Sequence, residues 1–371
     1  MQNINKNVKT AGIYIHIPFC KIKCIYCDFY SITEREEQID KFTNMLCREI
    51  SQFSEKNDFQ FTIDTIFFGG GTPSLLEPKH LDLIICKLND IYNLDDLYEV
   101  TLEANPGEAP LNKLKSFVDL GINRLSMGFQ SLQPDLLKFL TRIHSKEDAL
   151  NTFTHARKAG FNNINIDMIF SIPGQTMDKW KSDLNMLIDL SPNHISAYSL
   201  TNEPGTEFNK MVKAGKIIEV DDNIDLKYLE FTRQHLSVNG YSPYEISNFS
   251  HTGFECRHNL HYWNSDPYLA FGPSAHGFDG SHRWWNVRSI DEYIKRLDNN
   301  QSPIVKKEKI NNEMGFNELL LNGLRLKYGV DIKRLIHYRP DTNDILSKSI
   351  NKWKNKLENR RGRLVITEEG I

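Results

Sequence analysis

The sequence predicts an α/β fold whose parallel sheet is curled into a partial (β/α)6 barrel. Two observations predict it. Strand-like and helix-like patterns alternate between about residue 12 and residue 200. Polar or glycine-rich residues fall at the ends of the successive strands, which is where a parallel barrel carries its site.

The elements follow in order. A first strand at 13–17 precedes Cys20, Cys24 and Cys27. Thr33-Glu34-Arg35-Glu36 has the spacing of a capping box, opening a helix with Ile39, Phe42, Leu46, Ile50 and Phe53 on one face. A second strand at 65–68 runs into Gly69-Gly70-Gly71, and a helix starts at Pro78. A third strand at 98–102 leads to Glu103 and Asn105, and its helix is closed by Gly121. A fourth at 124–127 leads to Gln130 and to helices at 134–140 and 146–159. A fifth at 163–170 holds Asp167, ahead of Pro173-Gly174, and a helix follows from about 176 to 189. A sixth at 194–199 contains Tyr198.

After residue 200 the character changes. A helix at 223–238 gives way to a segment rich in Tyr, Trp, Phe, His, Gly and Pro, from 241 to 288. From about 305 helical patterns return and end in a strand or wing at 362–367. The expectation is a barrel region at 1–215, an aromatic and histidine-rich region at 216–300, and a C-terminal helical, winged-helix-like domain at 301–371. The last two give a C-terminal α+β region with a small winged-helix-like end.

Composition excludes several classes. The 45 basic and 48 acidic residues among 371 leave a net charge of −3, so no basic footprint for nucleic acid exists. No apolar run reaches the ~20 residues of a membrane span. The polar N-terminal stretch lacks the apolar core of a signal peptide, which points to the cytoplasm.

Cysteine spacing carries the chemistry. Three of the six cysteines fall within eight residues, Cys20-Lys-Ile-Lys-Cys24-Ile-Tyr-Cys27, and the others are scattered. That is a metal site rather than a disulfide framework. A zinc site of three cysteines with His16 as fourth ligand is one reading. The other is a four-iron cluster with one iron left open to a small molecule. The three glycines allow close approach to the backbone and exposed amide donors. Asp167 sits in an apolar strand and needs a partner if buried.

Tyr14-Ile-His16-Ile-Pro18-Phe19-Cys20, Gly69-Gly70-Gly71-Thr72-Pro73-Ser74, Ser126-Met127-Gly128-Phe129-Gln130 and Asp167 to Gly174 resemble the anaerobic coproporphyrinogen III oxidase family of radical SAM proteins. The resemblance runs from about residue 11 to the end. It implies a [4Fe-4S] cluster on Cys20, Cys24 and Cys27, with S-adenosylmethionine (SAM) bound at the open iron. Tyr14, the backbone of Gly70, Gly71 and Thr72, and the side chains of Glu103, Gln130, Arg142 and Asp167 match SAM-contacting positions. Two features select a branch. Oxidases of the family carry a further cysteine two residues after the cluster motif, where this chain has Phe29. His258-Asn259-Leu260-His261-Tyr262-Trp263 matches the HNxxYW motif of HemW-type heme chaperones.

The resemblance therefore implies heme binding by His258, Asn259, His261, Tyr262 and Trp263, with His258 the preferred ligand; His276, between Ala275 and Gly277 and outside that motif, is a weaker candidate. It implies delivery of heme to apo-hemoproteins, membrane-bound respiratory subunits among them, with a homodimer and peripheral membrane contact compatible with it. Oxygen-independent coproporphyrinogen III dehydrogenase is the alternative. Phe29 argues against it, while SAM cleavage stays open.

Overall fold

The computed structural model describes residues 10–57, 59 and 61–371; the polar N-terminal stretch lies outside them. Six parallel strands run in chain order: β1 (Thr10–Ile17), β2 (Thr62–Gly70), β3 (Glu99–Ala104), β4 (Arg124–Gln130), β5 (Asn163–Phe170) and β6 (His194–Ser199). Between them lie α1 (Ile39–Lys56), α2 (Pro78–Ile91), α3 (Leu111–Asp119), α4 (Pro134–Phe139), α5 (Lys146–Ala159) and α6 (Met177–Leu190). This is the expected partial barrel.

The sheet continues at both edges. After α7 (Glu207–Lys213) and α8 (Asp222–Val238), strands β7 (Ser242–Pro243) and β8 (Asn248–Ser250) join β6. After α9 (Arg257–Trp263), β9 (Tyr268–Phe271) pairs with β1 in parallel. Antiparallel β10 (His276–Phe278), β11 (His282–Asn286) and, after α10 (Ile290–Asp298), β12 (Ile304–Lys309) extend that edge. The single 12-stranded sheet thus crosses both expected boundaries, 215 and 300. The rest is α11 (Asn312–Arg325), β13 (Val330–Asp331), α12 (Ile332–Tyr338), α13 (Thr342–Lys352), β14 (Leu357–Arg360) and β15 (Arg363–Ile366). These pack around Phe316, Leu319, Leu335, Leu346 and Leu364 in the expected winged-helix-like arrangement.

Side-chain alternation explains both faces of the barrel. Ile13, Ile15 and Ile17 of β1 are fully buried toward the helices, with Ile66, Phe68, Leu102, Leu125 and Ile166. The other face looks inward and is polar: Thr65, Glu99, Thr101, Glu103, Arg124, Ser126, Asn165, Asp167, His194 and Ser196. A parallel barrel normally fills that space with apolar layers. Here α9 fills it. Glu99 accepts hydrogen bonds from the backbone N–H of Arg257 (3.0 Å) and His258 (3.1 Å), so a carboxylate holds the helix N-terminus inside the barrel.

One local expectation is overturned. Thr33–Glu36 is not a capping box: α1 begins at Ile39 after a short 3-10 turn at Glu36–Gln38, and its N-terminal flank has no side-chain cap. Arg35 is instead drawn into a two-pronged contact with Asp291 on α10.

Gly12 tests the helix plug. A Cβ there would lie 2.8 Å from both His258 Nδ1 and Thr65 Oγ1. Gly12→Ala should therefore cost about 1–3 kcal/mol in chemical denaturation by overpacking; an unchanged unfolding midpoint would contradict the packing of α9 against β1.

Candidate active site at the barrel mouth

The cysteine loop leaves β1 and folds over the carboxyl ends of the strands. Its backbone is clamped by the glycine turn: Gly71 N–H donates to Ile17 O (2.7 Å) and Thr72 N–H to Phe19 O (2.8 Å). Gly70 N–H donates to Glu103 Oε2 at 3.1 Å. The N–H groups of Gly70, Gly71 and Thr72, expected to face a ligand, are thus spent within the fold. The glycines are required by close approach. At Gly71 a Cβ would lie 2.6 Å from Phe19 O, and at Gly70 (φ +110°) 2.6 Å from the His16 ring.

A chain of polar contacts joins two of the cysteines. Cys20 Sγ lies 3.3 Å from Thr72 Oγ1, which accepts from Asn105 Nδ2 at 2.9 Å. Asn105 Oδ1 accepts from Arg142 Nη2 at 2.6 Å, and Arg142 Nη1 donates to Cys24 Sγ at 3.5 Å. Arg142 Nη2 also donates to Gly128 O at 2.8 Å, while its buried Nε has no partner among the described residues. Gln130 has φ +67° beside a register shift in β4, and its side-chain amide folds back over Gly128. A non-glycine residue held there is backbone strain maintained by the site around it.

The donor set suits a cluster. All three cysteines are free and half-buried. Burial pushes the Cys20 thiol up to about 11, with smaller contributions from Cys27 and Cys24, and also raises Cys27. Metal coordination reverses that cost by binding the thiolate. Among the described residues no three His, Cys, Asp or Glu side chains are gathered as a single ion requires. Tetrahedral zinc, with Zn–S near ~2.3 Å, needs that tighter grouping. His16 cannot complete a zinc site either. Its Nε2 lies 2.8 Å from Tyr30 O and its Nδ1 3.1 Å from Tyr14 OH.

Of the positions expected to contact SAM, Glu103 meets the glycine turn at Gly70 N–H and Arg142 meets Gly128 O beside Gln130. Glu103 and Asp167 are half-buried inner-face carboxylates; desolvation, then the charge of Asp167, pushes Glu103 up to about 8. Burial also raises Asp167, against hydrogen bonds from Asn165 Nδ2 (2.8 Å) and Ser126 Oγ (3.1 Å). Tyr14 packs against Phe67 and His258, ring centroids 6.2 and 6.4 Å away, which themselves stack at 5.2 Å; its hydroxyl is raised by burial and then by Glu103. A cationic sulfonium ligand fits a pair of carboxylates in which burial holds back ionisation of both and Asp167 adds to that of Glu103.

Comparison with known proteins agrees with this geometry. A Radical SAM superfamily model matches residues 14–187. The heme chaperone HemW of Bacillus subtilis is 34% identical over 96% of this chain and 95% of its own length. The chain belongs to the HemW family. The mitochondrial radical S-adenosyl methionine domain-containing protein 1 of Danio rerio is 33% identical over 97% of this chain and 82% of its own. The coproporphyrinogen III oxidase HemN of Escherichia coli shares the fold, with a TM-score of 0.84 at 20% identity over 98% of this chain and 87% of its own. A [4Fe-4S] cluster and SAM are the cofactors of this radical SAM scaffold in the HemW family.

The HNxxYW segment is α9, inside the barrel rather than on a surface. His258 Nδ1 is 2.9 Å from Thr65 Oγ1 and Nε2 2.8 Å from Tyr262 OH, so both ring nitrogens are engaged in a fully buried ring. In this arrangement the preferred ligand offers iron no lone pair. His261 Nε2 meets Asp64 Oδ1 at 2.7 Å, and its buried Nδ1 has no partner among the described residues. Trp263 lies under Arg325, and Asn259 is half-buried on the same helix. Sequence reasoning missed the bridging role of Asn105 and the buried Arg124. Their signals were a polar residue closing β3 and a lone Arg opening an apolar strand.

Two outcomes test the site. Gly71→Ala should abolish iron retention after reconstitution, measured by metal analysis, because its Cβ displaces the Phe19 carbonyl beside Cys20; retained iron would contradict the clamp. Binding a cation favours ionised Glu103, so SAM affinity should rise as pH rises through about 8. Glu103→Gln should flatten that profile in calorimetry and weaken binding by roughly tenfold, about 1.4 kcal/mol. In the cofactor-free chain the raised Glu103 pKa costs stability as pH climbs from 4.5 to about 8. The same variant should lose that slope.

Proposed function

We propose that this chain binds heme and passes it to apo-hemoproteins, with the cluster and SAM at the barrel mouth serving that task. The observation that carries the reading is similarity to HemW heme chaperones along nearly the whole chain. Phe29, 67% exposed beside the cysteine loop, supports it. A thiol available at that position is part of the oxidase pattern, and this chain presents an apolar ring there.

When bound, the cluster and SAM supply reductive cleavage of a carbon–sulfur bond. The chain's own residues hold that chemistry in place. Arg142 fixes the Cys24 sulfur and Asn105; Glu103 and Asp167 set negative charge opposite a cation; Tyr14, Phe67 and the buried α9 keep water from the pocket floor.

The recipients we propose are apo-hemoproteins of the respiratory chain, membrane-bound subunits included, reached from the cytoplasm by peripheral contact. Among the described residues no helix is long and apolar enough to cross a membrane. We also propose a division of labour along the continuous sheet: residues 1–215 hold the cofactors, 216–300 link them to heme, and 301–371 serve as a docking module, whose part from α11 onward has its own apolar cluster around Leu335. A homodimer is compatible with this scheme.

Anaerobic titration of the cluster-reconstituted chain with heme should saturate near one heme per chain, followed by the Soret band. The same preparation, given SAM, reductant and coproporphyrinogen III, should release no carbon dioxide. Absence of saturable heme binding together with decarboxylation would overturn the reading.

A further inference from the structure

The sheet does not stop where the barrel opens. Strands β9 to β12 carry its inner face outward as a shelf beside the mouth. Register places Tyr268 opposite Phe278, His276 opposite Trp285, Phe278 opposite Arg283, and Trp285 opposite Lys306 on that face. The other face is closed: Trp284 is buried, stacking on Phe53 of α1 with ring centroids 5.4 Å apart.

His276 is exposed on the shelf, parallel to Trp285 at 5.6 Å and 18°. Among the described residues neither of its ring nitrogens has a hydrogen-bond partner. This contrasts with His258, whose nitrogens are both taken. Burial, then Arg283, lowers the His276 pKa, which favours the neutral imidazole that metals bind. Arg283 itself is held by Glu308 and Glu318, each at 2.8 Å. Lys306 and Arg288 have no carboxylate within ion-pair reach among the described residues. Lys306 Nζ lies 4.7 Å from the Trp285 ring centroid, and the Arg288 guanidinium 6.0 Å from that of Tyr30.

The shelf is connected to the cofactor pocket. An aromatic path runs from Tyr14 through His258, Tyr262 and Tyr268 to Phe278, in ring-to-ring steps of 6.4, 5.1, 4.6 and 6.3 Å. His276 is also near enough to His16 to add to the lowering of its pKa, after burial.

We propose that heme binds on this shelf, with His276 as axial ligand, Trp285 holding the imidazole, and Lys306 and Arg288 receiving the propionates. The inference rests on the heme-binding reading above and locates its cargo. The ligand chemistry matches point by point. Iron takes a free imidazole nitrogen. An iron–nitrogen bond lies in the imidazole plane, so the macrocycle stands across the edges of the stacked rings, an arrangement aromatic quadrupoles favour. Two carboxylates need unpaired cations. The HNxxYW helix then forms the wall between cargo and cofactor pocket, and does not ligate.

The test uses the full-length, cluster-reconstituted chain and hemin, read by the Soret band and by Trp fluorescence. His276→Ala should shift the Soret maximum and weaken binding at least tenfold, and added imidazole should restore the spectrum. Lys306→Glu should weaken binding without moving the band. Trp285→Phe should remove part of the heme-induced fluorescence quenching. His258→Gln should keep the wild-type Soret position. Wild-type binding and spectrum in His276→Ala would overturn the shelf while leaving the heme-binding reading intact. No saturable binding by the unaltered chain would overturn both.

Discussion

The contact run from Cys20 through Thr72, Asn105 and Arg142 to Cys24 holds the site together. It ties the loop after β1 to the turn after β2, the end of β3 and the segment after α4. Each element alone leaves its polar end without a partner. Arg142 is the hinge of the arrangement because its planar fork reaches a sulfur, a side-chain amide and a backbone carbonyl at once. Burial raises the Cys20 thiol, so the thiolate that a metal takes is available there only when metal binding displaces the proton.

The same constraint shapes the barrel interior. A polar inner face cannot collapse on itself, and carboxylates and an arginine buried there are costly. The chain meets this by threading α9 through the floor. Glu99 receives its N-terminus, Thr65 and Tyr262 satisfy His258, and Asn165 and Tyr244 satisfy His194 at 2.6 and 2.9 Å. Toward the mouth lie Glu103, raised by burial and then by Asp167, and the Nε of Arg142, which has no partner among the described residues. A cationic cofactor bound there would favour the ionised Glu103.

Much of this was legible in the sequence. Six alternations of strand and helix signals give the barrel, and the cysteine spacing with the glycine turn gives its mouth. Alternation also encodes the polar inner face, as in Glu99, Thr101 and Glu103 or Asn165 and Asp167, where every second residue is polar. Three things were not legible. Arg35 is claimed by Asp291, far away in sequence, and that long-range pair displaced a local capping pattern. Glycines read as ligand-facing amides are needed for backbone approach. The histidine motif, taken as a ligand set from resemblance, lies on a helix whose His258 and His261 are buried in the floor, because a motif names residue types and not what their side chains meet.

The account turns on an open iron held by Cys20, Cys24 and Cys27 next to the Glu103–Asp167 pocket. Electron paramagnetic resonance of the reduced, reconstituted chain, recorded with and without SAM, tests it most directly. A [4Fe-4S] signal whose g-values shift on adding SAM, with the shift reduced in Glu103→Gln, is the result the account predicts. A cluster signal that SAM leaves unchanged would contradict it.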